Sequence, residues 1–286
     1  MRTLFRSVGW TMIWSGLFLF AFLGYQLWGT GVRTDLAQAA AEDDLADQFE
    51  LVRAEDGLED TTAAVEIVLD DDGKVVEVIG SEGVAGSAFD PNSRQILLDE
   101  EAVAENTSFA TIRFPTLVTR DELVTGRVEA GAIETEGTSW VVFEGTSRRT
   151  LKLGPGHMID TPLPGQPGNA VISGHRTTYS APFNRLDELE EGDPIIVETA
   201  IGTHVYVVRD PGTIIDNTSV LAMDDEGGWF AVRPTALWVK DAPAEGAWLT
   251  LTTCHPEYSA RQRLIVVAEL VAGPNHAVIY KDVGDA

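Results

Sequence analysis

The sequence predicts a mainly β protein, a closed and mostly antiparallel barrel with short helices, preceded by one membrane-spanning helix. An uncharged apolar run near the N-terminus, from Val8 to Trp28, predicts the membrane helix. Seven short apolar runs between Ser108 and Ala272, separated by Gly, Pro and Asp, predict the barrel.

The N-terminal apolar run has about the 20 residues that cross the hydrocarbon core of a bilayer. Arg2 and Arg6 precede it, so the positive-inside rule places residues 1–7 in the cytoplasm and the later chain outside. A cleaved signal peptide is the alternative, because Ala37–Ala39 has the small-x-small form of a cleavage site. The run exceeds the usual ~7–15 apolar residues of a signal peptide, which favours an uncleaved anchor over residues 8–28.

Residues 29–107 are predicted to form an acidic extracytoplasmic stalk or variable region. Leu45, Phe49 and Val52 are spaced four and three residues apart, which predicts a helix with a narrow apolar stripe.

A β-hairpin is predicted within this region, because Val65–Leu69 and Val75–Ile79 alternate apolar and polar residues around a cluster of Asp residues. The Asp cluster does not fit an EF-hand. Aligning Gly73 with the loop glycine of that motif places Val68 and Ile79 at positions that need oxygen ligands. A solvated turn is therefore the interpretation.

The barrel is predicted over residues 108–272, with a C-terminal tail at 273–286. The stretch Ala181–Glu191 predicts a short helix, since Phe183, Leu186 and Leu189 recur every three residues. Thr116–Gly137 resembles an insertion after the first barrel strand. The predicted strands are Ala110–Phe114, Trp140–Glu144, Asn169–Ser173, Pro194–Glu198, Thr203–Val208, Trp248–Thr253 and Leu264–Val271.

Composition excludes several classes of function. With 20 basic and 45 acidic residues the formal net charge is -25. Such a charge repels phosphate backbones and argues against nucleic-acid binding. One cysteine, Cys254, excludes an intramolecular disulfide. Five scattered histidines give no zinc ligand set, so we predict no metal and no cofactor.

Three reactive side chains lie at predicted strand ends. Cys254 ends the strand that begins at Trp248, and Arg263 opens the next strand after a loop of eight residues. A hairpin would bring both to one rim of the sheet. His175 ends the strand that begins at Asn169. A thiol, an imidazole and a guanidinium on one rim are the equipment for acyl transfer through a thioester.

Other polar residues compete for these roles or support them. Arg261 is the alternative cation, but Arg263 directly adjoins the strand. Tyr179 and Thr253 are predicted to contact the substrate, although a packed aromatic is an equal interpretation of Tyr179.

The remaining histidines are predicted to be outside the chemistry. His255 should point away from the thiol, because adjacent strand residues face opposite sides. His157 and His204 are predicted to be structural, although His157 follows a Gly-Pro-Gly turn that could approach the site.

These motifs resemble those of the sortases. Thr250–Cys254 fits the Thr-Leu-x-Thr-Cys signature, Gly174-His175 resembles the segment with the catalytic histidine, and Arg263 stands where the family's arginine opens the last strand. Further segments are similar to the class E sortases of actinobacteria: Gly154–His157, Leu163–Asn169, Ser173–Tyr179 and Cys254–Arg263.

The resemblance implies an eight-stranded barrel on a single-pass membrane anchor, with Cys254, His175 and Arg263 as the catalytic residues. It also implies cleavage of a Leu-Ala-x-Thr-Gly or Leu-Pro-x-Thr-Gly type sorting signal between Thr and Gly. The expected partners are secreted proteins bearing that signal and an amine of a cell-wall precursor. The alternatives are a hydrolytic cysteine peptidase, a pilus-polymerising sortase and a non-catalytic barrel that binds wall peptides.

Overall fold

The computed structural model describes residues 2–56, 65–79, 103–117, 126–129, 138–211, 220–224, 227–241 and 245–280. Helix α1 (Arg2–Gly24) continues through a π-helical turn (Tyr25–Gly29) into helix α2 (Thr30–Asp56). In the described part of the chain, one helix, Arg6–Gly24, is long and apolar enough to cross a membrane, and none of it is buried. The Val8–Trp28 run is thus helical throughout.

The strands and the C-terminal helix follow α2. In chain order they are β1 Glu66–Leu69, β2 Val75–Ile79, β3 Ser108–Arg113, β4 Gly126–Glu129, β5 Ser139–Glu144, β6 Gly156–His157, β7 Gly168–Ser173, β8 Pro194–Thr199, β9 Gly202–Val208, β10 Ala222–Met223, β11 Phe230–Val232, β12 Ala247–His255, β13 Gln262–Ala272 and helix α3 His276–Ile279.

Eight of the described strands close a barrel in the order β13-β12-β7-β6-β5-β3-β8-β9, and β9 pairs back to β13. The pairings are antiparallel except β5 with β6 and β7 with β12. All seven predicted runs fall on barrel strands, with only Phe114 one residue beyond the end of β3, which confirms the mainly β prediction. The eighth strand, β6, has only two residues, too few to show a periodic pattern in the sequence.

Strand alternation separates the barrel interior from its outer face. Leu249, Leu251, Leu264 and Val266 belong to the main core, whereas outward residues of β13 pack in a second cluster with β11. This division matters for the site, because side chains two residues apart on one strand share a face.

The predicted helix at residues 181–191 is shorter than expected. Only Leu186–Glu188 forms a 3₁₀ turn. The three apolar residues that suggested the helix, Phe183, Leu186 and Leu189, are nevertheless fully buried in the main core. Their spacing of three matches the 3₁₀ period, so the spacing marked a buried face and not a full helix.

Helix α2 differs from a free-standing stalk because it packs along the barrel wall. Leu45 and Phe49 cluster with Val141 and Phe143 of β5, as the predicted apolar stripe requires. Gln38 is buried and pairs with the barrel backbone: its Nε2 donates to the carbonyl of Val141 at 3.1 Å, and its Oε1 accepts from the Val141 amide at 2.7 Å.

The predicted hairpin forms the core of a small second sheet. β1 pairs with β2 and, on its other edge, with β4, which comes from the 116–137 insertion. At the turn, Asp70 Oδ1 accepts hydrogen bonds from the amides of Asp72 and Lys74, each at 2.9 Å. That carboxylate is occupied by the turn, as expected of a solvated loop.

Candidate active site

Two strand pairings bring the predicted reactive residues to one rim. Cys254 on β12 is the Cα partner of Arg263 on β13. On the other side of β12, Thr252 is the Cα partner of Ser173 on β7, and the Gly174 amide donates to the Thr252 carbonyl at 3.1 Å. His175 is the next residue in the chain, so the two pairings bring it to the same end of the sheet as Cys254.

The three side chains lie on the same outer face of the sheet. Residue Gly174 fixes the direction on β7, since a Cβ there would lie 2.5 Å from Cδ2 of Phe183 in the main core. His175, the next residue, is therefore directed to the opposite, outer side. Cys254 lies on the same face as Thr252, because residues two apart on a strand share a face. Arg263 lies on that face too, because it is the direct cross-strand partner of Cys254.

A cavity of about 150 Å³ opens on this outer face. Ser173, Thr252 and Arg263 contribute to its wall, which places the cavity beside the rim that carries the thiol. Arg233 and Lys240 are two further cations of the wall. The other lining residues are apolar: Met158, Val171, Val232, Pro234, Ala236, Leu237, Val239 and Ile265.

His175 is half-buried under an aromatic ring. The ring of Tyr179 lies 4.9 Å from the imidazole, centroid to centroid, with 33° between the planes. Nζ of Lys152 stands 5.7 Å from the centroid of the same tyrosine. Burial, and secondly the charge of Lys152, lower the pKa of His175 below its usual 6.5. The neutral imidazole is thus the favoured form at neutral pH.

Arg263 is held at the cavity by its own loop. Its Nη1 donates to the carbonyls of Ala260 at 3.2 Å and Gln262 at 3.0 Å. Arg261, the competing cation, is exposed and does not line the cavity. Of the two candidate cations, Arg263 is therefore the one that lines the cavity.

Sequence comparison agrees with this barrel. Residues 132–271 match the family described as "Sortase domain". This part of the chain is a sortase domain. Among curated proteins, sortase SrtE1 of Streptomyces coelicolor is 36% identical over 106 residues, which are 36% of this chain and 27% of that protein. Sortase SrtE2 of the same organism is 34% identical over 137 residues, 46% of this chain and 50% of that protein.

The chain thus matches between 27% and 50% of the length of these two curated relatives. Among solved structures, sortase E from Streptomyces avermitilis is 29% identical, covers 61% of this chain and 95% of that chain, and superposes with a TM-score of 0.42.

Arg176 of the sortase domain is a residue that sequence reasoning missed. Its side chain is 5% exposed and reaches the Cys254 strand from the loop after β7. Nη1 donates to the Cys254 carbonyl at 3.4 Å and to Nδ1 of His255 at 2.9 Å, and Nη2 donates to Asp187 at 2.6 Å. Its position directly after His175 was the available signal.

His255 and Thr253 point away from the cavity of the sortase domain. The ring of His255 accepts from Arg176 and lies 5.2 Å from the ring of Trp229, which confirms the predicted direction. Thr253 is 2% exposed, and its hydroxyl donates to the Gly174 carbonyl at 2.8 Å. Thr253 therefore ties the thiol strand to the imidazole strand, and its neighbour Thr252 lines the cavity instead.

The two remaining candidate histidines are buried and bonded within the sortase domain. His157 Nδ1 pairs with Glu144 at 2.9 Å, and its Nε2 contacts the Pro162 carbonyl at 2.9 Å. His204 lies 3.0 Å from the Thr199 hydroxyl, and burial lowers the pKa of His204 to about 3. Both residues are structural, as the sequence predicted.

Proposed function

We propose that this protein is a membrane-anchored cysteine transpeptidase that cleaves a Leu-Ala-x-Thr-Gly or Leu-Pro-x-Thr-Gly type sorting signal between Thr and Gly. The observation that carries the proposal is the cross-strand pair of Cys254 and Arg263 beside the end of the His175 strand, on the face that bears the cavity. A thiol, an acid-base group and an oxyanion donor then share one surface.

The reaction follows from these positions. The Cys254 thiolate attacks the carbonyl carbon of the signal's threonine, and the Arg263 guanidinium stabilises the resulting oxyanion. His175, as imidazolium, donates its proton to the departing glycine amine as the peptide bond breaks and a thioester forms. Neutral His175 then takes a proton from an incoming amine, which attacks the thioester, forms a new amide and releases the thiolate.

The charge state of His175 limits the rate. Because the pKa of His175 is lowered by burial and by Lys152, the imidazolium that must protonate the leaving amine is a minority form at neutral pH.

The acceptor and the location complete the proposal. The amine comes from a cell-wall precursor, and the acyl donors are secreted proteins that carry the signal. Helix α1 anchors the chain, with residues 1–7 in the cytoplasm and the sortase domain outside; its length and its unburied apolar surface support this placement. Tyr179, whose ring lies tilted against that of His175, contacts the bound signal in this proposal.

Substitution of the reacting groups tests the proposal. Cys254→Ala is expected to abolish the thioester and to lower peptide cleavage by at least about 10³-fold. Arg263→Gln should lower kcat by about 10²–10³-fold, because an oxyanion donor is lost. Mass spectrometry of the full chain with a sorting peptide and an amine measures both. Arg261→Gln, two residues away and exposed, is the matched control and should keep full activity.

The products separate the alternative functions. A transpeptidase forms the amide with an added amine, a peptidase forms mainly the free acid, and a pilus polymerase requires a lysine of a second protein. Peptide binding without any reaction of Cys254 toward thiol reagents would establish the non-catalytic barrel. Full turnover by Cys254→Ala would remove the proposed mechanism.

A further inference from the structure

The loop after His175 has a strained backbone. Tyr179, Ser180 and Ala181 have φ values of 54°, 58° and 48°, three successive non-glycine residues in the left-handed region. L-residues rarely adopt this conformation, and a run of them persists only where surrounding contacts hold it. Tyr179 is also the ring that covers His175.

The first turns of α2 supply contacts to this loop. Ser180 Oγ lies 2.5 Å from Asp35 Oδ1 and 3.1 Å from the Gly31 carbonyl. The Tyr179 amide approaches the Thr30 hydroxyl at 3.5 Å. The carboxylate acceptor makes the hydrogen bond from Ser180 charge-assisted. The loop is therefore held from outside the barrel, by the helix that follows the predicted anchor.

The same helix also holds the second segment beside His175. The Thr34 hydroxyl donates to the Lys152 carbonyl, and Gln38 Nε2 donates to the Leu153 carbonyl, each at 2.9 Å. Lys152 is the cation beside Tyr179 and acts electrostatically on His175. Helix α2 thus forms hydrogen bonds to both segments that surround the His175 imidazole, residues 152–153 and 179–180.

From this geometry we propose that Asp35 and Ser180 are positioning residues. Through their contact, helix α2 holds Tyr179 over His175 and so forms part of the active site. The inference rests on the proposed function only in that His175 is the acid-base group. Among the described residues, the charged and titratable groups near His175 are Lys152 and Tyr179 on the two segments that α2 contacts, the adjacent Arg176, and Cys254 and Arg263 on the rim.

Removal of the contact tests this role. Asp35→Ala and Ser180→Ala in the full chain are each expected to lower kcat by about tenfold with little change in KM, since the imidazole loses its fixed orientation. Solvent reaches the ring when Tyr179 moves, so the limb of the pH profile governed by His175 moves to higher pH. The profile is read for kcat/KM and, without turnover, for alkylation of Cys254 by iodoacetamide.

Conservative and matched variants separate positioning from stability. Asp35→Asn retains an oxygen acceptor for Ser180 and should recover most of the activity. Glu42→Ala, an exposed acidic residue two turns along α2, should behave as wild type. Wild-type kcat and wild-type pH profiles in both alanine variants would overturn the inference. If the wild-type chain failed to turn over sorting peptides, only the proposed function would be refuted. The pH profile of Cys254 alkylation would still report on His175 and so test the inference.

Discussion

Gly174 combines two requirements in one residue, close packing on the core and the direction of His175. A Cβ at this position would lie 2.5 Å from the ring of Phe183, which is fully buried. Gly174→Ala should therefore displace the ring or the strand, lowering the free energy of unfolding by about 1–3 kcal/mol and reducing kcat together with it. Urea unfolding and peptide turnover measure the two effects.

A second substitution checks the cause. Phe183→Leu provides room for the added methyl group, so the double variant Gly174→Ala, Phe183→Leu should be more stable than the sum of the single effects predicts. Strict additivity would show that the loss does not come from this contact.

The sequence located Cys254, His175 and Arg263 because each stands at the end of a strongly apolar strand. It did not show that they share a face. That relation depends on the register of β7 against β12, a parallel pair far apart in sequence and without a hairpin turn to fix its register. The same missing register explains why Thr253 was expected to contact substrate and why Arg176 was overlooked.

Helix α2 was predicted as a helix but not as a docked one, because a narrow apolar stripe does not say what it packs against. Gln38 makes the docking specific, since its amide pairs with both polar groups of Val141 and with the Leu153 carbonyl. Gln38→Glu keeps the shape but places an oxygen against two carbonyl oxygens. We expect a loss of about 1–3 kcal/mol in unfolding free energy.

The same exchange at an exposed site provides the control for Gln38. Glu42 lies on the solvent side of α2. Glu42→Gln replaces a carboxylate with an amide, the reverse of Gln38→Glu, and should change the unfolding free energy by less than about 0.5 kcal/mol. Equal stability of Gln38→Glu and wild type in urea titrations would mean that the amide contacts do not hold the helix.

Two short strands show where periodicity stops being informative. β6 has two residues and β4 has four, yet β6 completes the barrel and β4 completes the small sheet. Their places depend on partners distant in sequence, so no local pattern identifies them.

The stability of the whole domain should depend on the buried His204. Burial lowers its pKa from 6.5 to about 3, so below pH 6.5 the unfolded chain binds a proton that the folded chain does not. Its contribution is present above pH 6.5 and is lost as the pH falls toward 3, at up to about 1.4 kcal/mol per pH unit.

A variant that lacks only the His204 imidazole isolates this effect from the many carboxylates. His204→Gln should cost stability at pH 7, because glycines 165 and 273 pack closely on the ring. The gap to wild type should then narrow as the pH falls to 4.5. Urea titrations of both detergent-solubilised chains at several pH values measure the gap; a constant gap would show that His204 takes no part in acid unfolding.

The uninterrupted helical rod from Arg2 to Asp56 has a consequence for where the enzyme can work. Thr30 lies six residues beyond Gly24, about 9 Å at 1.5 Å per residue, and it already touches the loop of Tyr179. On the proposed anchoring, the thiol stays at headgroup height. Donor and acceptor would then meet the enzyme by diffusion within the plane of the bilayer, and a client already released into the wall would be out of reach.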